Sequence, residues 1–376
     1  METKPDAAEK ETPRRRAVPG GRRRHVLGLA GIVAALAGVP ACDGTARPSA
    51  ADPLAQDQAG AEWDKTFPRS PLVTHEKVSY RSRLGIRLVA DLYVPRDLDR
   101  TERAPAIVVG HPYGGVKEQT SGLYAQTMAE RGFVTLAFDA SYNGESGGDP
   151  HFIASPEAFV EDFSASVDYL GGHPLVDRDR IGVLGVCGSG GFGLAAAEID
   201  PRIRAVATVS MYDIGQATRQ GLSESLDRAA LGTTLQRIAA QRWAEVDGAP
   251  QEMVVGTPEV ITERSSAIDR EFFDYYRTPR GQHPRSTTAM SLTSGAAMSL
   301  FGAFDHLDWI SPRPVLFITG EHAHSRIFSE QAFERASEPR ELYIVPGAGH
   351  VDLYDRVELI PWDELESFFD QHLGRA

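Results

Sequence analysis

From Val73 onward, short continuous apolar runs of strand type alternate with longer segments that have helical spacing. Lys77 to Arg83 and Ile86 to Val94, joined through Leu84-Gly85, predict an antiparallel opening hairpin. Ala106 to Val109 predicts a buried strand ending at Gly110-His111-Pro112-Tyr113-Gly114-Gly115, and Phe133 to Phe138 the next, closed by Asp139. Pro156 to Leu170 is a helix with Phe159, Phe163, Val167 and Leu170 on one face. Ile181 to Val186 is again a strand, Phe192 to Ile199 a helix and Ala205 to Ser210 a strand. Val315 to Thr319 and Leu342 to Val345 supply the last two strands, and Trp362 to Leu373 the closing helix. Such alternation predicts an α/β fold, a mainly parallel sheet with helices on both faces. About a hundred residues between Asp213 and Ser311 exceed what the sheet needs. Their helical patterns and the run Phe272-Phe273-Asp274-Tyr275-Tyr276 predict a mostly helical cap at about 214–310, over the carboxyl ends of the strands.

Residues 1–42 read as an export signal instead of fold. Arg22-Arg23-Arg24-His25-Val26-Leu27 opens an apolar run, Val26 to Ala41, that falls short of the roughly 20 residues needed to span a bilayer. The Arg-Arg pattern resembles a twin-arginine signal. Val39-Pro40-Ala41-Cys42 resembles a lipobox, with Cys42 as the lipidation site. Pro40 is unusual there, and Val39 and Ala41 also suit plain signal-peptidase cleavage, so a lipid-anchored protein and a secreted or periplasmic one both stay open. Residues 43–70, rich in Ala, Asp, Gln and Pro, read as a disordered tether, leaving 71–376 as the folded domain.

The net charge of −13 includes that basic leader. Its first 25 residues hold eight of the basic and four of the acidic side chains, leaving 31 against 48, a net of −17. So acidic a surface excludes nucleic acid and an anionic membrane surface as partners. Any membrane contact runs through the N-terminal lipid alone.

Chemistry concentrates in Ile181-Gly182-Val183-Leu184-Gly185-Val186-Cys187-Gly188-Ser189-Gly190-Gly191, where a strand stops at a turn of small residues with a nucleophile inside it. A nucleophile elbow needs small residues two before and two after the nucleophile. Centred on Cys187 these are Gly185 and Ser189. Ser189 is the alternative nucleophile, but it has Cys187 two residues before it and lies a step past the strand end. The other cysteine is Cys42, so no disulfide framework is available to the domain.

Elbow, loops and strand order resemble the α/β-hydrolase superfamily over about residues 72–374, and the cysteine in the elbow is most similar to dienelactone-hydrolase-like members. The resemblance implies a small-molecule acyl substrate, no cofactor, and cleavage of an ester, thioester or lactone through an acyl-enzyme on Cys187. Acyl transfer or peptide cleavage on the same fold is the alternative. A surface lipoprotein that binds a ligand with a degenerate triad is the alternative of another class. His350, in Pro346-Gly347-Ala348-Gly349-His350 after the last strand, stands where the superfamily places its general base. The N-terminus of the helix that follows Cys187 and a nearby histidine are expected to lower the thiol pKa. The usual Gly-x-x-Asp acid is replaced by Gly320-Glu321-His322-Ala323, so the candidates are Glu321, then Asp213, then Asp352. Oxyanion donors are expected from the backbone of Gly188 and Tyr113, since Pro112 has no N–H. His322 and His324 show no recognisable metal-site spacing, and no metal is expected.

Overall fold

The computed structural model describes residues 63–222 and 226–374. The export signal, Cys42 and the tether up to residue 62 lie outside the described residues. Eight strands form one sheet in the order β1-β2-β4-β3-β5-β6-β9-β10. They are β1 (Val73–Arg81), β2 (Arg87–Pro95), β3 (Ala104–Gly110), β4 (Val134–Phe138), β5 (Val176–Val186), β6 (Ile203–Val209), β9 (Val315–Gly320) and β10 (Arg340–Val345). β2 pairs antiparallel with both neighbours, and every other pairing is parallel. All of β3 and β4 is buried. That is why these strands read as almost unbroken apolar runs: with both faces of the sheet covered, a polar side chain needs a buried partner, as Thr135 finds in the Ala125 carbonyl.

Helices α1 (Thr120–Glu130), α2 (Pro156–Gly172) and α3 (Gly188–Ile199) follow β3, β4 and β5. α1 packs on β2, β3 and β4, while α2 and α3 pack on each other and on β5. Between β6 and β9 come α4 (Ile214–Gln220), α5 (Arg228–Val246), the two-stranded ribbon of β7 (Met253–Val255) and β8 (Ala289–Ser291), α6 (Ala267–Tyr276) and α7 (Ser294–Met298). α8 (Arg326–Arg335), the single turn α9 (Asp352–Asp355) and α10 (Trp362–Leu373) complete the chain. The sheet order, with β2 reversed, is the α/β-hydrolase fold.

Topology locates the site before any side chain is considered. β3 lies between β4 and β5, so the chain leaves β3 toward one side and returns on the other. The loops after β3 and β5 therefore diverge at the carboxyl ends of the strands and leave a crevice, the usual ligand position in open α/β sheets. Tyr113 lies in the first loop and Cys187 heads the second.

Two features extend the fold beyond the sequence expectation. Residues 63–70, assigned to the tether by composition, belong to the folded part. Trp63 packs edge-on to Phe67 at 5.7 Å, the Thr66 N–H donates to the Glu118 carbonyl at 2.9 Å, and Lys65 pairs with Asp91 at 2.7 Å. Two aromatic anchors in eight residues carry no periodicity, so composition outweighed them. The second feature is a buried charge cluster. Lys117 is fully buried with its ammonium among Glu118, Asp139 and Glu145, 2.9 Å from Asp139 Oδ2. Those three acids are the described carboxylates packed closely enough to share an ion, and Lys117 already supplies a cation there. His322, by contrast, is a largely exposed side chain.

Candidate active site

Cys187 takes φ 56° and ψ −122°, a conformation rare outside glycine that turns the strand sharply into α3. The tightness explains the flanking glycine: a Cβ on Gly185 would lie 2.3 Å from the Ser189 carbonyl oxygen. The bend is held by the Cys187 N–H donating to the Val209 carbonyl at 2.9 Å and by the Cys187 carbonyl accepting from Gly190 and Tyr212. The side chain is 4 % exposed.

Burial pushes the Cys187 thiol up to about 11, against hydrogen bonding with the Tyr354 hydroxyl and with the backbone N–H groups of Tyr113 and Gly188. This overturns the expectation of a lowered thiol: desolvation outweighs the helix N-terminus, and the group is a neutral thiol. The same contacts bring the two expected backbone donors, Tyr113 and Gly188, onto one atom. Ser189 is directed elsewhere, its Oγ donating to the His111 carbonyl at 2.5 Å.

His350 is completely buried, and burial followed by the neighbouring His324 holds its pKa well below 6.5. Its Nδ1 lies 2.6 Å from Ser325 Oγ and its Nε2 lies 2.9 Å from the Tyr354 hydroxyl. Among the described residues no direct hydrogen bond joins His350 to Cys187; the Tyr354 hydroxyl touches both.

Neither expected acid reaches the imidazole. Glu321 sits one residue past the end of β9, half exposed, and accepts the Gly347 N–H at 2.8 Å. Asp213 caps α4 by accepting the Gln216 N–H at 2.8 Å. Asp352 accepts the Gly349 N–H at 2.8 Å and pairs with Arg356. All three carboxylates are committed to local backbone donors. The partner of His350 is Ser325, a neutral hydroxyl two residues beyond Ala323.

A second histidine holds the carboxylate. His324 stacks obliquely on His350 with ring centroids 4.6 Å apart, its Nε2 hydrogen-bonded to the Tyr212 hydroxyl and its Nδ1 3.2 Å from Glu271 Oε2. Glu271 comes from the cap helix α6 and also accepts the Val351 N–H at 2.7 Å. Burial alone would raise Glu271, yet His324 and the backbone N–H groups of Val351 and His350 hold it below the usual carboxylate range. Other ties run from the cap to the same region: Arg280 pairs with Asp355, and Tyr275 hydrogen-bonds Thr120 at 2.9 Å. Aromatic rings close the surroundings, with Phe272 5.6 Å and Tyr212 5.0 Å from the His350 ring.

Sequence reasoning passed over Tyr354, Ser325, Tyr212 and Glu271, and weighed His324 only as a metal ligand. One signal was available: Tyr354 follows His350 by four residues, the spacing that puts two side chains on the same side of a helical turn. Glu271 left none, because it arrives from a helix some eighty positions upstream.

The sequence model of the X-Pro dipeptidyl-peptidase (S15) family matches residues 85–291. The uncharacterized protein PA2218 of Pseudomonas aeruginosa is 50 % identical over 322 residues, 85 % of this chain and 86 % of that one. Its crystal structure superimposes with a TM-score of 0.81, at 48 % identity, over 84 % of this chain and 98 % of that chain. The uncharacterized protein YcjY of Escherichia coli is 36 % identical over 75 % of this chain and 93 % of its own. A thiohydrolase of Eupenicillium brefeldianum is 24 % identical over 81 % and 96 %. With the reversed second strand, the elbow and these matches together, the chain belongs to the X-Pro dipeptidyl-peptidase (S15) family of α/β hydrolases.

Proposed function

We propose that this hydrolase cleaves an ester, thioester or lactone through an acyl-enzyme on Cys187, in the manner of the dienelactone-hydrolase-like elbow it resembles. The observation that carries the reading is the convergence of the Tyr113 and Gly188 N–H groups on a thiol held at the elbow by a positive φ. Sulfur attacks the carbonyl carbon, the carbonyl π electrons move to oxygen, and the two N–H groups stabilise that oxyanion. The C–X bond to the leaving group then breaks and the leaving group takes up the thiol proton. Water hydrolyses the thioester so formed, releasing the acid and restoring the thiol. The base is His350. A small cavity beside Tyr113 and Ser189 is lined by Phe138, Phe159, Phe163 and Phe192, a lining that suits an apolar acyl group. The thiohydrolase relative favours a thioester. The S15 family match favours a second reading, cleavage of a peptide bond after proline. Export on the leader at residues 22–42, with Cys42 as the lipid attachment, is part of the proposal and rests on that sequence alone.

The test is intact-protein mass after incubation with activated esters, thioesters, lactones and Xaa-Pro anilides. We expect an acyl adduct on Cys187, lost in Cys187→Ala and kept in Ser189→Ala. An adduct on Ser189 overturns the nucleophile. Turnover confined to the Xaa-Pro anilides overturns the substrate class.

A further inference from the structure

The residue between the proposed nucleophile and its base has no part in the usual triad. Tyr354 is fully buried, its hydroxyl 2.9 Å from His350 Nε2 and hydrogen-bonded to Cys187. Its ring is fixed on several sides: His350 lies 5.3 Å away, and Tyr275 packs edge-on at 5.2 Å. The backbone is fixed as well. Its N–H donates to the Val351 carbonyl at 3.0 Å, and the preceding carbonyl accepts from the Tyr124 hydroxyl at 2.7 Å. The phenol oxygen also meets the Tyr276 hydroxyl, but phenylalanine would fill the same space. The oxygen instead completes a file running Cys187 Sγ, Tyr354 Oη, His350 Nε2, His350 Nδ1, Ser325 Oγ. Burial and the adjacent Cys187 raise the phenol well above 10, so it stays protonated while it passes protons on.

We propose that Tyr354 is a catalytic residue, the relay through which the Cys187 proton reaches His350. The step rests on the cysteine reading above. As sulfur forms its bond to the acyl carbon, the S–H proton moves to the phenol oxygen and the phenol proton moves to His350 Nε2. The products are a tetrahedral oxyanion and an imidazolium whose Nδ1–H faces Ser325. The reverse shift, imidazolium to phenol and phenol to the departing atom, delivers the proton as the C–X bond breaks. No group outside the protein and substrate is needed. The relay also accounts for a neutral thiol and a neutral imidazole coexisting, since neither has to ionise before substrate arrives.

The experiment is single-turnover acylation of wild type and Tyr354→Phe from pH 7 to 10, read as adduct mass, with a proton inventory in mixed H2O/D2O on the wild type. Expected at pH 7 is a loss of about 10²-fold in acylation rate with little change in KM, the scale of one general acid–base contribution. The gap should narrow as pH rises and the thiol ionises unaided. The wild-type inventory should curve, with two protons in flight. A Tyr354→Phe rate within about threefold of wild type overturns the relay, as does a deficit constant across pH, which marks a structural role. If the variant does not fold, the inventory decides: a linear plot overturns the proposal. Failure of the cysteine reading looks different, because the adduct then leaves Cys187 in wild type itself.

Discussion

Replacing Ser325 with alanine isolates the most unusual part of the site, a histidine whose inner partner is a hydroxyl. The bond from Ser325 Oγ to His350 Nδ1 is 2.6 Å, and both residues are fully buried. Removing Oγ leaves a buried imidazole nitrogen without a partner, which costs about 1–3 kcal/mol. At about 1.4 kcal/mol per tenfold, that is roughly a 5- to 150-fold loss in kcat if the imidazolium of the transition state bears all of it. A triad carboxylate in this place is worth far more, about 10⁴-fold, because it meets the imidazolium as a charge. The loss in Ser325→Ala should therefore fall well short of that figure. The assay pairs kcat on a thioester with urea unfolding, so that any loss of folded protein is separated from loss of rate. Ser325→Asp supplies the complement: a carboxylate against Nδ1 stabilises the imidazolium and moves the acid limb of the rate profile to higher pH. The assignment is refuted if Ser325→Ala changes kcat less than about twofold while Glu321→Gln or Asp213→Asn lowers it more.

The pKa directions make two predictions on one axis. His350 must be neutral to accept a proton and its pKa lies well below 6.5, so the acid limb of kcat/KM should fall below pH 6.5; a limb at or above that value contradicts the burial argument. The unfolded imidazole titrates near 6.5, so the unfolded chain takes up the proton first and stability should decline as pH drops through 6.5. Iodoacetamide labelling of Cys187 should keep accelerating past pH 9 toward 11, and a plateau near neutrality would show that the thiol is activated after all. Lys117→Met should destabilise the fold by about 3–5 kcal/mol in urea unfolding, since it strands Asp139 as a buried charge while Glu118 keeps Arg285; a change under about 1 kcal/mol would mean that water reaches the cluster.

The sheet and the elbow were legible in the sequence for a common reason: both are local. β3 and β4 are buried along their whole length, so each wrote an almost continuous apolar run, and the turn at Cys187 excludes a side chain at Gly185. Of the two expected backbone donors, Gly188 came from its place after the nucleophile and Tyr113 from the missing N–H of Pro112. The superfamily was therefore readable, while its branch was not: the matching family model is that of the X-Pro dipeptidyl-peptidases. Partnerships across the fold were hidden. A carboxylate was sought near the end of β9 because a charge is the usual partner of such a histidine. Glu321 faces Gly347 instead, and Ser325 makes the contact from one turn further on. Glu271 belongs to a cap helix whose docking no spacing rule foretells. The thiol pKa was misjudged because burial, the dominant effect, is a tertiary property.

Glu271 also bears on which molecule finishes the reaction. Its carboxylate fastens the cap to the backbone beside His350, and beneath that closure the sulfur is 4 % exposed and the imidazole not at all. On the proposed reading, substrate and the second nucleophile would reach the sulfur in separate events, with the first product leaving between them. If the acyl-enzyme proposed on Cys187 forms, the fate of its acyl-sulfur bond depends on the cap: water would win with the cap parted, and an alcohol, thiol or amine if it were the molecule enclosed. Hydrolase and transferase would on this account be two regimes of one site, separated by how long Glu271 stays off the histidine loop.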